Sequence, residues 1–130
     1  MDRVIIDTDI LLDFLLKRDP FHEHAEVIFK KAFEKRIMAC IAASTILNAG
    51  YVASKFINKK KVWDSLYKII QVVEVLKVDQ DTILSSIKSD FKDKEDAVVY
   101  FAALNSKVDK ILTRNVKDFK HSKIPVVSTV

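Results

Sequence analysis

Arg3-Val4-Ile5-Ile6-Asp7-Thr8-Asp9-Ile10-Leu11-Leu12 is the stretch from which the fold can be read. Val4, Ile5 and Ile6 are consecutive, β-branched and apolar. A strand with one wet face alternates apolar and polar residues, whereas a strand covered on both faces does not. Residues 3–7 therefore read as a strand buried inside a sheet. The pattern then turns helical, with Ile10, Leu11, Phe14 and Leu15 on one side of a helix from Ile10 to Lys17 and Asp9 placed to cap it. A buried strand running straight into a helix begins a parallel α/β sheet.

The rest of the chain continues the alternation. Pro20 fits the first turn of a helix reaching about Lys35, in which Ala25, Ile28, Phe29, Ala32 and Phe33 recur at helical spacing. Residues 37–42 are a second strand, followed by a helix capped by Ser44 or Thr45 and ending near Phe56. The run Lys59–Lys61 opens a helix to about Gln71, and residues 72–78 are a third strand. Asp79 or Asp81 caps a helix to about Ser89, 90–94 is a charged loop, and a helix runs from Glu95 to about Asn105. Strands at 110–113 and 124–127 flank a turn or short helix at 115–120. Strands separated by helices pair in parallel through right-handed crossovers. The expected architecture is one domain over 1–130, a three-layer α/β/α sandwich on a mostly parallel sheet.

Three acids stand out against this frame. Asp7 closes the first strand, Asp96 opens the apolar helix Ala97–Ala102, and Asp118 follows the strand and loop 110–115. In an open parallel sheet the carboxyl ends of the strands share a crevice where ligands bind. Carboxylates crowded there cannot all ionise unless a cation neutralises them. Oxygen ligands without Cys or paired His suit Mg²⁺ or Mn²⁺.

Composition narrows the classes. Apolar residues are 49% of 130, which excludes disorder, and the one cysteine, Cys40, sits in an apolar run and reads as core. The one glycine, Gly50, excludes Walker loops and dinucleotide fingerprints, which need several. No apolar run is long enough to span a bilayer, and the first strand leaves no room for a cleavable signal, so no membrane association and a cytoplasmic location are expected. The net charge of +4 favours a polyanionic partner. Arg114, Lys117, Lys120 and Lys123 cluster around Asp118 and are candidates for holding such a polyanion; Lys55, Lys59, Lys60 and Lys61 read as a solvated helix face. His22 and His24 lie two apart on a helix, on divergent faces, and read as surface residues. Tyr51 and Tyr100 are the aromatics with a chance to stack a base.

The opening Asp7-Thr8-Asp9-Ile10-Leu11-Leu12-Asp13, the acidic helix start Asp93-Lys94-Glu95-Asp96-Ala97 and the segment Leu112-Thr113-Arg114-Asn115-Val116-Lys117-Asp118-Phe119 together resemble the PIN-domain ribonucleases, in order and over essentially the whole chain. The third segment, a Thr-Arg-Asn-x-x-Asp-Phe signature, is the most specific. The resemblance implies a Mg²⁺- or Mn²⁺-dependent endoribonuclease and, since many small stand-alone members are VapC-like toxins of toxin–antitoxin pairs, a cognate antitoxin and self-association as a homodimer. By position it makes Asp7, Asp96 and Asp118 the catalytic and metal-binding acids, with Asp93 and Glu95 as further candidate ligands, Asn115 orienting the final loop, and Thr113 near the site. The chain departs from the pattern at Asn48, where many members carry a glutamate. An amide there removes one negative charge, which Asp93 or Glu95 would have to supply. Two alternatives stay open: a catalytically degenerate domain that binds RNA or a protein partner, for which Asn48 argues, and an aspartyl-nucleophile phosphatase, whose Asp-x-Asp opening Asp7-Thr8-Asp9 satisfies. The helices at 10–17 and 44–56 are candidate partner surfaces.

Overall fold

The computed structural model describes residues 1–130. Five strands and six α-helices follow one another as β1 (Arg3–Ile6), α1 (Thr8–Leu16), α2 (His22–Phe33), β2 (Met38–Ala42), α3 (Ala43–Ala53), α4 (Lys59–Ile69), β3 (Glu74–Leu76), α5 (Gln80–Lys88), α6 (Lys94–Asn105), β4 (Lys110–Leu112) and β5 (Val126–Val127), with a 3₁₀ helix at Val116–Phe119 before β5. The sheet order is β3-β2-β1-β4-β5 and every pairing is parallel.

The apolar run of β1 is explained by its place at the centre. Val4 and Ile6 point into one core with Ile41, Leu112 and residues of α1 to α4. Ile5 points into the other with Cys40, Ala42, Ile111 and residues of α6. The chain builds outward from β1 to β3, then crosses to β4 on the far side of β1. Because parallel crossovers keep one hand, reversing the direction of travel moves the crossover helices to the other face. The reversal opens a crevice at the carboxyl ends of β1 and β4, the place where such sheets bind ligands. No helix is long and apolar enough to cross a membrane.

Several boundaries differ from the sequence reading, each for a local reason. α1 starts at Thr8, and Asp7, not Asp9, is its cap, accepting the Thr8 amide at 2.8 Å. α3 has no side-chain cap: β2 runs directly into it through Ala42, leaving Ser44 and Thr45 inside the helix. Pro20 lies ahead of α2, which begins at His22. β3 shrinks to Glu74–Leu76 because Val72 and Val73 still bond back to the end of α4. The last strand keeps only Val126 and Val127. Gly50 has a packing reason: a Cβ there would land on the ring of Trp63, so α3 and α4 can approach only because it is absent.

Candidate active site

Asp7 sits at the carboxyl end of β1, 5% exposed. Its amide bonds to the Leu112 carbonyl at 3.0 Å, so β4 pairing fixes its backbone. Its Oδ1 accepts the Thr8 amide and its Oδ2 accepts the Thr113 hydroxyl, each at 2.8 Å. Burial pushes its pKa up to about 6, helped by the charges of Asp9 and, more weakly, Asp118, against the pull of the Thr113 and Thr8 hydrogen bonds. Asp96, half-buried in the first turn of α6, is pushed up to about 7, first by burial and then by Asp7, Asp93, Asp118 and Asp9 in turn. These influences identify one carboxylate group fed by three places in the chain: the β1–α1 junction, the start of α6 and the 3₁₀ turn.

Asp93 caps α6, accepting the amides of Glu95 at 2.8 Å and Asp96 at 3.3 Å. Asp118 is carried by the 3₁₀ helix, whose Phe119 is buried under α6. A cleft of about 450 Å³ joins these acids to a basic wall: Asp90, Asp93, Asp96 and Asp118 line it together with Lys92, Lys117, Lys120 and His121. A second hollow of about 370 Å³, mostly apolar, opens at the other end of the strands around Met1, Ile37 and Val72, remote from the acids.

Asp9 was read as a cap and is instead part of the crevice. Its Oδ2 accepts the Asn115 side-chain amide at 2.9 Å, the Arg114 backbone amide at 3.1 Å and the Thr113 hydroxyl at 3.3 Å. The one hydroxyl proton of Thr113 cannot serve Asp7 and Asp9 together, and the shorter contact is to Asp7. Burial raises the Asp9 pKa, opposed by the Arg114 amide and charge, the Ile10 amide and Thr113. Its other oxygen, Oδ1, is buried and has no hydrogen-bond partner.

Asp13 was not singled out either. It is 1% exposed, the carboxylate that gathers two arginines: Arg114 bonds it through Nε at 2.7 Å and Nη2 at 3.1 Å, and Arg18 through Nε at 2.9 Å. An acid inside an otherwise apolar helix, with arginines elsewhere to pair with it, was the signal available in the sequence. The Arg114 guanidinium also lies 3.7 Å from the Phe21 ring centroid. Arg114, expected to hold RNA, thus has its guanidinium paired with Asp13 and does not line the cleft described above.

The remaining expected residues divide. Lys117 and Lys120 line the cleft, whereas Lys123 does not; its backbone amide donates to the Tyr100 hydroxyl at 3.3 Å. Tyr100 is buried against Phe91 and Phe101 and offers no face to a base, while Tyr51 is exposed, edge-on to Trp63. His22 is half-buried and meets Asp19 at 2.8 Å. Asn48 donates to Glu95 Oε1 at 2.8 Å, tying α3 to the start of α6. As the side chains stand, no three acids, histidines or cysteines close around a common point at ligand distance.

A five-stranded parallel sheet with an acidic crevice at the β1/β4 reversal, fed by a strand-end Asp, a helix-start Asp and a 3₁₀-turn Asp, defines an α/β protein with a carboxylate site. The chain belongs to the PIN domain family, which it matches over residues 3–117. Solved structures agree in fold. The chain is similar to a toxin–antitoxin complex from Klebsiella pneumoniae (25% identity, TM-score 0.68, 96% of each chain). It is also similar to VapBC-1 from nontypeable Haemophilus influenzae (18%, TM-score 0.70, 96% of each chain). A third is VapBC2 from Rickettsia felis bound to a DNA fragment from their promoter (15%, TM-score 0.69, 96% of this chain and 97% of that one). No curated protein matches the chain in sequence.

Proposed function

We propose that the protein is a Mg²⁺- or Mn²⁺-dependent endoribonuclease acting as the toxin of a toxin–antitoxin pair. The observation that carries this reading is the cleft in which Asp96 and Asp118 face Lys92, Lys117 and Lys120, with Asp7 behind them. A polyanion enters along the lysines and presents a phosphodiester to the acids.

The donor set fits a hard divalent cation. It is all oxygen, two of its acids are pushed well above the usual carboxylate range, and Asp9 Oδ1 is a buried acceptor with nothing to accept from. Asp7, Asp96 and Asp118 would hold the ion. When bound, such an ion neutralises the carboxylates and activates water for in-line attack at phosphorus, leaving a 5′-phosphate and a 3′-hydroxyl. The chain's own residues prepare the site. Thr113 turns Asp7 Oδ2, Asp93 fixes the first turn of α6 and with it Asp96, and Lys117 and Lys120 neutralise the backbone on either side of Asp118 in sequence. Glu95 and Asn48 satisfy each other at the margin.

The toxin reading is supported by the structural neighbours from Klebsiella and Haemophilus, a toxin–antitoxin complex and a VapBC pair. The protein exposes apolar surface for partners on α3, α4 and the turn between them: Leu47, Tyr51, Phe56, Ile57, Tyr67 and Ile70. A homodimer through this face and an antitoxin that blocks the crevice are the proposed assemblies. The apolar side of α1 is unsuited, since Ile10, Leu11 and Leu15 are consumed by the core.

Asn48 favours a degenerate, non-cutting domain as the second reading. The phosphatase alternative is weakened by Asp7 itself, which is almost fully buried with both oxygens already bonded and poorly placed to attack phosphorus. Incubating total RNA with the protein, with and without Mn²⁺, separates the readings. Metal-dependent fragments lost in Asp96→Asn support the nuclease; binding without cleavage under either divalent metal supports the degenerate domain.

A further inference from the structure

Capping does not explain Asp9, because Asp7 caps α1 and the Asp9 carboxylate turns away from its own helix towards Thr113, Arg114 and Asn115. The macrodipole favours an acid in a first helical turn but does not explain a bare oxygen. The three donors from the 113–115 segment converge on Oδ2; Oδ1 is buried with no donor at hydrogen-bond geometry, although the Ile10 amide lies near enough to favour the charged carboxylate. A buried polar atom left unsatisfied is costly and calls for an explanation, an absent ion among them.

The nearby positive charges are turned elsewhere. The Arg114 guanidinium forks onto Asp13 with contacts of 2.7 and 3.1 Å and is held under Phe21. Arg18 also goes to Asp13, and what it gives Asp9 is a hydrogen bond to the backbone carbonyl at 3.1 Å, not to the carboxylate. Asp13 thus takes the side-chain hydrogen bonds of both arginines; the Arg114 charge still favours the ionised Asp9 carboxylate, but no guanidinium bonds to it.

We propose that Asp9 is a further ligand of the divalent cation, offering Oδ1 while Thr113, Arg114 and Asn115 immobilise Oδ2; the assignment rests on the metal-dependent nuclease reading above. Asp13 acts through Arg114 as a positioning residue. It fixes the segment that holds Oδ2 and keeps the guanidinium from occupying the place of the ion. The extra carboxylate also restores the negative charge missing at Asn48, from the neighbouring helix α1.

Asp9→Asn tests this in the full chain. Asparagine keeps an oxygen for the three donors and puts an amide nitrogen where the bare oxygen was, which cannot ligate a hard cation. Titration of metal-free protein with Mn²⁺ by calorimetry should show affinity at least tenfold weaker than wild type, with a melting temperature in EDTA no lower than wild type. Unchanged Mn²⁺ affinity overturns the assignment. Asp7→Asn run alongside tells the two levels apart. If wild type binds no Mn²⁺, or Asp7→Asn binds it as well as wild type, the metal-site reading falls as a whole. If Asp7→Asn loses binding and Asp9→Asn does not, only the Asp9 ligand falls. Should Asp9→Asn fail to fold, Mn²⁺-soaked crystals of the wild type decide. An anomalous peak at roughly 2.0–2.3 Å from Asp9 Oδ1, the reach of a hard-cation bond, supports the assignment; a peak held by Asp7 and Asp118 beyond that reach overturns it.

Discussion

Asp96 carries the sharpest residue-level consequence of the crevice. Its pKa is pushed from 3.8 to about 7, first by burial and then by the neighbouring acids. The folded state therefore holds a proton there that the unfolded chain has already released, so stability falls as pH rises between about 4 and 7 and levels off above. Asp96→Asn cannot ionise and escapes that loss. In metal-free buffer the melting temperature of Asp96→Asn relative to wild type should rise with pH across this window and flatten beyond it. A pH-independent difference between the two proteins contradicts the shift. Asp13 has another role: it is nearly inaccessible and pairs two arginines, so its removal leaves two part-exposed guanidinium groups without their acceptor. Asp13→Ala should cost about 3–5 kcal/mol in urea unfolding. Arg114→Met should cost less, because Arg18 still pairs with Asp13. Equal losses in the two variants would mean that Arg18 contributes nothing.

At the scale of elements, the contact between α3 and α4 is set by the missing side chain of Gly50. Gly50→Ala gains helix propensity but drives a methyl into the indole of Trp63, and the clash should dominate, with a loss of about 1–3 kcal/mol in thermal or urea unfolding. Trimming the obstacle in Gly50→Ala/Trp63→Leu should recover part of it; a single variant as stable as wild type would show that the helices can part. The elements also show what sequence patterning can resolve. The buried strands were legible because Val4-Ile5-Ile6 and Cys40-Ile41-Ala42 are covered on both faces and carry no competing pattern. Boundaries were less so. The Asp-x-Asp after β1 offers two caps, and only the turn into α1, with Asp7 on the Thr8 amide, chooses between them. Val72 and Val73 look like strand but continue the end of α4.

In the whole molecule, the site is where the chain reverses its order of strand building, which is why its acids come from positions as distant as Asp7 and Asp118. The candidate acids could be chosen from the sequence because each flanks an apolar element. The fates of Asp9, Asp13 and Arg114 could not, since a capping acid, a helix acid and a basic residue beside a motif look alike until long-range pairing divides them. The exposed apolar side of α3 and α4 belongs to the same scale. Tyr51→Glu/Phe56→Glu, at side chains 61% and 72% exposed, should convert a dimer to a monomer in light scattering without lowering the melting temperature. A wild-type protein that is monomeric at high concentration removes that surface from consideration.

Finally, the crevice and the global fold are linked through the cation. With the acids close enough to raise one another's pKa, an ion bound only by the folded state removes repulsion and stabilises the protein by mass action, about 2.7 kcal/mol at a free concentration one hundred times the dissociation constant. Melting followed by circular dichroism in EDTA and in millimolar Mn²⁺ should therefore differ by several degrees. The increment should be largest above about pH 7, where the acids must otherwise be charged without a counter-ion, and should shrink towards about pH 5, where Asp7 and Asp96 retain their protons. Asp7→Asn should reduce the increment across the range. An increment that ignores pH, or one that Asp7→Asn leaves intact, places the ion elsewhere on the surface.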